Sequence, residues 1–510
     1  MTSPPSNAAG AGLPWKRFVL GALVLLGLWF LGRPLAFLAL AGMSQEDVVV
    51  VVPEGHGNDA SGLEQAALLE TWPVPEETEA AIAGLRALLQ RARSEGLPVS
   101  IAGSMHSMGG HTIAPGGIRL DMRTFRSMEV DEEQLILTVG SGAIWSDILE
   151  FLDPLGLSVA IMQSNDSFTV GGSLSVNCHG WQHGEAPISS SVLSFRLLLA
   201  NGELRECSRE SNLELFSMAL GGYGLFGVLL DVNLRLVPNE LYRTEAQVIA
   251  ADELGEEFLR RARDPAVGLA AGRISIAPDD FLHSAVLSVL TRAEPQGELP
   301  ALEDLANRGL RRTVFRASVG SDYGKGLRWW LESASARYGA ETFTTRNTEL
   351  AEGVEVYGNH DPKGTDILHE YFIPHAALGA FLDGARPIFE GSDCDLLNIT
   401  VRDVREDQGT FLRYADQGMF GLVMLFHQAR TPEAEVAMQR LTRDLIDLAL
   451  SLEGRHYLPY RLHASRAQFE AGYPMGRDFF EAKRRYDPDE IFQNQFYRAY
   501  GLRDSGPNPR

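Results

Sequence analysis

The sequence predicts an α+β chain of two unlike parts, and three observations lead there. Short β-branched apolar runs such as Leu97–Ile101 alternate through the first half with helix-patterned stretches and Gly/Ser-rich turns. Past Pro238-Asn239 the pattern changes to strands (Val286–Thr291, Leu396–Arg402, Phe420–Phe426) interleaved with helices, of which Glu433–Leu452 is the clearest. Ahead of both parts, a long apolar segment predicts an N-terminal transmembrane helix.

The bulk properties bound the function classes. At 510 residues the chain has room for about three domain-sized units. Hydrophobic residues at 45% and charged ones at 22% fit a folded protein with a large core. A net charge of −22 and no local basic stripe exclude nucleic acid as the main partner. Cys178, Cys207 and Cys394 are too few and too scattered for a disulfide framework or a zinc site, so no metal is expected.

In chain order, Met1–Pro14 is rich in Pro, Ser, Ala and Gly and reads as disordered. Lys16-Arg17 precede the apolar run Phe18–Leu31, and after Arg33-Pro34 a second apolar piece reaches Ala41. Taken as one element, Phe18–Gly42 is long enough for a hydrocarbon core of roughly 30 Å. The rival reading is a cleaved signal peptide with Ala39-Leu40-Ala41 at the cleavage site. The run exceeds what a signal core needs, which favours a single-pass anchor with the body on the periplasmic or extracytoplasmic side. Glu46–Glu70 is an irregular lead-in. Pro75–Thr78 carries helix-start chemistry, and Ala81–Arg93 shows apolar spacing of three and four. Strands follow at Ile118–Asp121 and Leu135–Val139, then a helix over Ile144–Leu152. This alternation fits two small lobes clasping a cofactor. The expected division is 1–45 for lead and anchor, 46–238 for a cofactor domain, 239–452 for a cap, and 453–510 for a return to the cofactor domain.

Two Gly-rich turns carry the chemistry. The strand at Leu97–Ile101 runs into Ala102, Gly103, Ser104, Met105, His106, Ser107, Met108, Gly109 and Gly110. Small residues after a strand let successive backbone N–H groups point into one concavity, a nest for phosphate or pyrophosphate. The second stretch, FTVGGSLSVNCHGWQHG over Phe168–Gly184, has a β-like start, the Gly171-Gly172 pair and then His179-Gly180. A third, Gly222, Gly224 and Gly227, satisfies G-x-G-x-x-G, but a β-like alternation over Val228–Leu236 follows where a helix would be needed. A Rossmann-type NAD site is therefore excluded.

The first two stretches, in this order and at this spacing, resemble the FAD-binding domain of the vanillyl-alcohol oxidase family. The likeness runs from about Thr71 to Pro238 and returns at Tyr486-Asp487-Pro488. It implies a two-lobed FAD-binding domain and an α/β cap, or substrate, domain whose antiparallel sheet closes over the flavin ring. It also implies FAD contacts from Ile101 to Gly109, from Ser164, Thr169, Val170, Gly171, Gly172, Val176, Asn177, Cys178 and His179, from Tyr457, and from backbone near Val228 at the adenine end. His106 has two readings: a loop histidine that shapes the turn, or a covalent tether to the flavin's methyl group, as in family members with G-x-x-H-S. The Ser-Met-His-Ser arrangement favours the tether. His179 falls where the family brings a polar side chain toward the flavin's reactive centre; its rival reading is a satisfied core histidine. Cys178 beside it reads as a small buried hydrophobe.

Within the family, TVGGSLSVNCHGWQH, LPYRLHAS and the RRYDP run are most similar to decaprenylphosphoryl-ribose oxidases and to sugar and alditol oxidases. Where the lipid-linked sugar oxidases carry a lysine, Tyr460 stands here, with Arg461 and His463 beside it. With His179 these form the candidate catalytic set, unless Arg461 and His463 belong to a solvated turn. The resemblance implies oxidation of an alcohol carbon of a sugar-like or lipid-linked sugar substrate, with oxygen or a membrane quinone accepting electrons. The alternatives are a reductase of the sterol-reductase kind and a flavin-carrying electron-transfer protein without substrate chemistry.

Overall fold

The computed structural model describes residues 19, 32–43, 52–295, 297–302, 308–354, 357–359 and 361–502. Its helices and strands form a mixed α/β architecture around four sheets. The first lobe is a parallel three-stranded sheet, ordered Glu70–Pro73, Ile118–Asp121, Val99–Ala102. The helix Thr78–Glu95 covers it because Ala81, Ile82, Leu85, Leu88, Leu89 and Ala92 fall on one stripe and are all buried. The Glu77 carboxylate accepts from the N–H groups of Glu79 and Ala80 at the start, and Gly96, at φ 66°, closes the end in the left-handed conformation.

The second lobe is antiparallel. Its order is Leu204–Ser208, Val192–Leu198, Val228–Pro238, Ile136–Gly140, Met128–Asp131, with Leu157–Val159 joining the far end of Val228–Pro238. Gly227, at φ 153°, turns the chain into the long Val228–Pro238 strand, so the third Gly-rich stretch does lead into a strand. The second Gly-rich stretch departs from its β-like reading. Thr169 makes one bridge to Ile144 and then N-caps a short helix, Val170–Ser175, its hydroxyl accepting from Gly172 N–H.

The third body is an eight-stranded antiparallel sheet, ordered Thr342–Thr345, Leu241–Ala250, Ser284–Arg292, Val267–Ile274, Asp395–Val404, Met419–Ala429, Gly364–Pro374, Arg455–His456. The helices Leu378–Glu390 and Pro432–Ser451 take one of its faces: Tyr371 packs on Phe381, and His369 meets the Thr442 hydroxyl at 3.2 Å. Strand alternation sends the neighbours Asp366, Leu368 and Glu370 to the opposite face. That face looks onto the two Gly-rich turns.

The expected transmembrane helix over Phe18–Gly42 is not supported, and single-pass membrane placement falls with it. Among the described residues no helix is long and apolar enough to cross a membrane. The described part of the apolar run is the 11-residue helix Arg33–Met43, and residues 20–31 lie outside the described residues. This helix has a protein partner: Phe37 meets the Tyr323 ring edge-on at 5.0 Å, and the Arg33 guanidinium lies 4.2 Å over the same ring. Apolar composition alone does not separate a lipid-facing helix from one that packs on protein.

The chain's end returns to the first lobe. Val99 N–H donates to Ile491 O at 2.7 Å, and Gln493 N–H to Val99 O at 2.9 Å. Asp487 fixes this return by accepting from Ile491 N–H at 3.0 Å, Phe492 N–H at 2.8 Å and the buried Lys483 ammonium at 3.0 Å. Asp487→Ala strands that ammonium in the core, so denaturant unfolding should show a loss of about 3–5 kcal/mol. Asp489→Ala, which breaks the exposed pair with Arg93, should cost less than about 1 kcal/mol. Equal losses at the two positions would contradict this account.

Candidate active site

A cavity of about 610 Å³ lies between the two turns and the bare face of the eight-stranded sheet. That is within the usual range for a small-molecule site. Of the residues expected at the cofactor, Ile101, Gly103, Ser104, Met105, His106, Ser107, Met108, Ser164, Thr169, Gly171, Gly172, Val176, Cys178, His179 and Tyr457 line it. Ala102, Gly109, Val170, Asn177 and Val228 do not, although Gly227 and Leu229 on either side of Val228 do. Asn177 acts as a latch: its amide donates to Asp407 at 2.8 Å and accepts from Ser189 N–H at 3.1 Å.

The two turns are built against each other. A Cβ placed on Gly103 would lie 1.9 Å from Thr169 Oγ1, and one on Gly171 2.9 Å from Ser141 Cβ. Only glycine lets the first turn close on the cap of the Val170–Ser175 helix. Met105 holds φ 57°, a strained value for a side-chain-bearing residue. Among the described residues, the backbone N–H groups of Gly103, Ser104, Met105 and Ser107 have no protein acceptor. A row of unmatched amide donors around a concavity suits a pyrophosphate. The residues therefore fit FAD. His106 lies against Phe168 with ring centroids 4.3 Å apart and the planes tilted by 34°, and it lines the cavity wall.

Outside ties hold the first turn in place. Asp59 accepts from Gly110 N–H at 2.7 Å, and Met108 N–H donates to Pro459 O at 2.9 Å. Arg461 reaches Met108 O at 3.1 Å while pairing with Glu64 and Glu435, each at 2.5 Å. His463 meets Thr442 Oγ1 at 2.9 Å and Glu435 at 2.8 Å. Neither Arg461 nor His463 lines the cavity. They lock the turn to the Pro432–Ser451 helix.

Tyr460 and His179 do line the cavity, and a residue not singled out from the sequence joins them there. Glu370 is buried, with Oε1 2.5 Å from His179 Nε2 and Oε2 accepting from the Tyr460 hydroxyl at 3.2 Å. Gly421 leaves room for the pair, since a Cβ there would stand 3.3 Å from both Glu370 Oε1 and His179 Cε1. Burial and the neighbouring Glu370 charge raise the Tyr460 phenol well above its ordinary range, so it stays protonated and donates. Burial pushes the Cys178 thiol up to about 12, which keeps it neutral and a poor nucleophile. Tyr457 is pinned by its hydroxyl to Val176 O at 2.8 Å. The signal for Glu370 was the alternation of Asp366–Pro374; its partner His179 lies 191 residues away, and sequence spacing gives no sign of that meeting.

Because the Gly103–Thr169 contact closes the cradle, Gly103→Val should give folded protein that retains little flavin after gel filtration, read from the absorbance ratio at 450 and 280 nm. Gly326→Ala, in the helix Asp322–Tyr338 with nothing within 4 Å of its Cβ position, should keep its full complement. Full flavin content in Gly103→Val would contradict the cradle.

The comparisons with known proteins agree with this geometry. Residues 80–208 match the family model of an FAD binding domain. Cytokinin dehydrogenase 10 of Oryza sativa is 32% identical over 31% of this chain and 30% of its own length. L-gulonolactone oxidase of Bos taurus is 32% identical over 30% of this chain and 35% of its own. The chain thus spans about a third of the length of these relatives. Decaprenylphosphoryl-beta-D-ribose oxidase of Mycolicibacterium smegmatis is 23% identical over 82% of this chain and 92% of its own length. With residues 80–208 matching an FAD binding domain, a cradle that fits the cofactor and similarity to FAD-linked oxidases, the chain carries an FAD-binding domain and takes FAD as its cofactor.

Proposed function

We propose that this protein is an FAD-dependent oxidoreductase that oxidises an alcohol carbon of a sugar-like substrate. The hydrogen-bonded set His179–Glu370–Tyr460 at the cavity carries the reading. Bound FAD supplies the acceptor for the hydride that leaves the substrate carbon. The substrate hydroxyl must lose a proton in the same conversion, and Glu370 is the group assigned to take it. His179 Nε2–H and the Tyr460 hydroxyl donate to its two oxygens and fix its direction. Polar side chains at alternate positions of the opposing sheet, Asn398 and Thr400, give a hydroxyl-rich ligand partners that an apolar one would waste. The names of the decaprenylphosphoryl-ribose and gulonolactone oxidases support a sugar-like substrate, lipid-linked or free.

FAD is further proposed to be tethered through His106, whose imidazole stands on the cavity wall against Phe168.

Two measurements test these roles. In anaerobic rapid mixing, sugars or polyols should bleach the flavin. Glu370→Gln should slow that bleaching by about 10²-fold or more while leaving FAD content unchanged. A Glu370→Gln enzyme that bleaches at the wild-type rate removes Glu370 from the chemistry, and a flavin that no sugar or polyol reduces removes the substrate class. In trichloroacetic acid the yellow colour should stay with the precipitated wild type and be released from His106→Ala; colour released from the wild type means there is no tether.

A further inference from the structure

Charged side chains on the cavity wall are nearly all matched inside the protein. Glu370 is held by His179 and Tyr460, and Asp366 by Arg316 and by His427 at 2.7 Å. Arg273 donates to the side-chain Oδ1 of Asn398, Arg430 to Gly364 O at 3.0 Å, and Glu352 accepts from Arg311 at 2.7 Å. Arg402 differs. Among the described residues its side chain has no ion pair and no hydrogen bond, and its Nε is buried without a partner. A half-buried guanidinium with nothing in the protein to donate to suits an oxyanion that can accept its forked N–H groups.

The surroundings suit such a ligand. Thr400, two residues earlier on the same strand and face, already accepts from the Asn398 amide at 3.0 Å. Its hydroxyl proton is therefore left to donate into the cavity. Arg273 stands in register beside Thr400 on the neighbouring strand and adds positive potential. Arg402 acts electrostatically on both Tyr460 and Cys178, so it lies within charge range of the corner where Glu370 sits. Their two strands flank Met419–Ala429, which sets the backbones two strand spacings apart, about 9.5 Å. The span matches a sugar-sized molecule with a hydroxyl at one end and a charged group at the other.

We propose that Arg402, with Thr400, is an oxyanion subsite, and that the substrate is a hydroxylated compound carrying a carboxylate or a phosphate group. The proposal rests on the oxidoreductase reading above only for the identity of the hydroxylated part.

The test uses the FAD-loaded protein and follows perturbation of the visible flavin spectrum on titration with inorganic phosphate, gluconate, glucose 6-phosphate and neutral glucose. Wild type should bind an anionic probe at least about tenfold more tightly than glucose. Gluconate and glucose 6-phosphate separate the carboxylate source from the phosphate source. Arg402→Ala should remove the advantage of the anions while leaving glucose affinity and the flavin midpoint potential in place, and Arg402→Lys should restore part of it. If Arg402→Ala fails to hold flavin, the neutral Arg402→Gln makes the same comparison. Equal affinity for charged and neutral probes in wild type, equal weakening of both in the variant, or a shifted flavin potential with unchanged anion binding would each overturn the proposal. Arg402-dependent phosphate binding in a protein that oxidises no sugar would uphold the subsite and remove only the sugar reading. Sugar oxidation indifferent to Arg402 would do the reverse.

Discussion

The constraint that joins the two Gly-rich turns is steric: the backbone at Gly103 lies so near the Thr169 hydroxyl that no side chain fits between them. Two turns 66 residues apart are thereby pressed into one cradle. The first belongs to the parallel lobe and the second to the antiparallel lobe, so the cavity exists only when both lobes fold and dock. The supports around the first turn follow from the same need. A turn whose amides are kept for a ligand cannot satisfy itself, and Asp59, Pro459 and Arg461 fix it from outside.

The eight-stranded sheet meets the opposite requirement. One face is an apolar core under two helices, and the other must be polar enough to hold a ligand and its charges. Strand periodicity makes both possible in one segment. Leu396, Ile399 and Val401 are buried in the large core, while Asn398, Thr400 and Arg402 line the cavity. Gly364–Pro374 does the same with His369 and Tyr371 on one side and Leu368 and Glu370 on the other. Gly421 between these strands leaves the gap into which His179 reaches.

Local features were the legible ones. The apolar spacing of Ala81–Arg93 found the interior of the Thr78–Glu95 helix, and Ile118–Asp121 is a strand with the bounds read from the sequence. The Gly-rich turns announced themselves because a backbone that must approach something closely excludes Cβ atoms. Long-range pairing was not legible. Arg461 sits next to Tyr460 in sequence, yet it turns away from the cavity toward Glu64, 397 residues distant. Glu370 and Arg402 were passed over because a polar residue in an alternating strand looks the same whether it faces solvent or a ligand. The apolar run near the N-terminus misled for a related reason. Its described part is a short helix whose Phe37 packs on Tyr323, and composition does not say whether the neighbour is lipid or protein.

The central claim is that FAD is held where the two Gly-rich turns meet, facing the polar side of the eight-stranded sheet. Amide hydrogen exchange of the apoprotein and the FAD-reconstituted protein tests it most directly. Peptides covering Gly103–Ser107 and Gly171–Gly172 should gain protection together on FAD binding, with a smaller gain in Gly364–Pro374. Protection of one turn without the other, or of neither, would contradict the account.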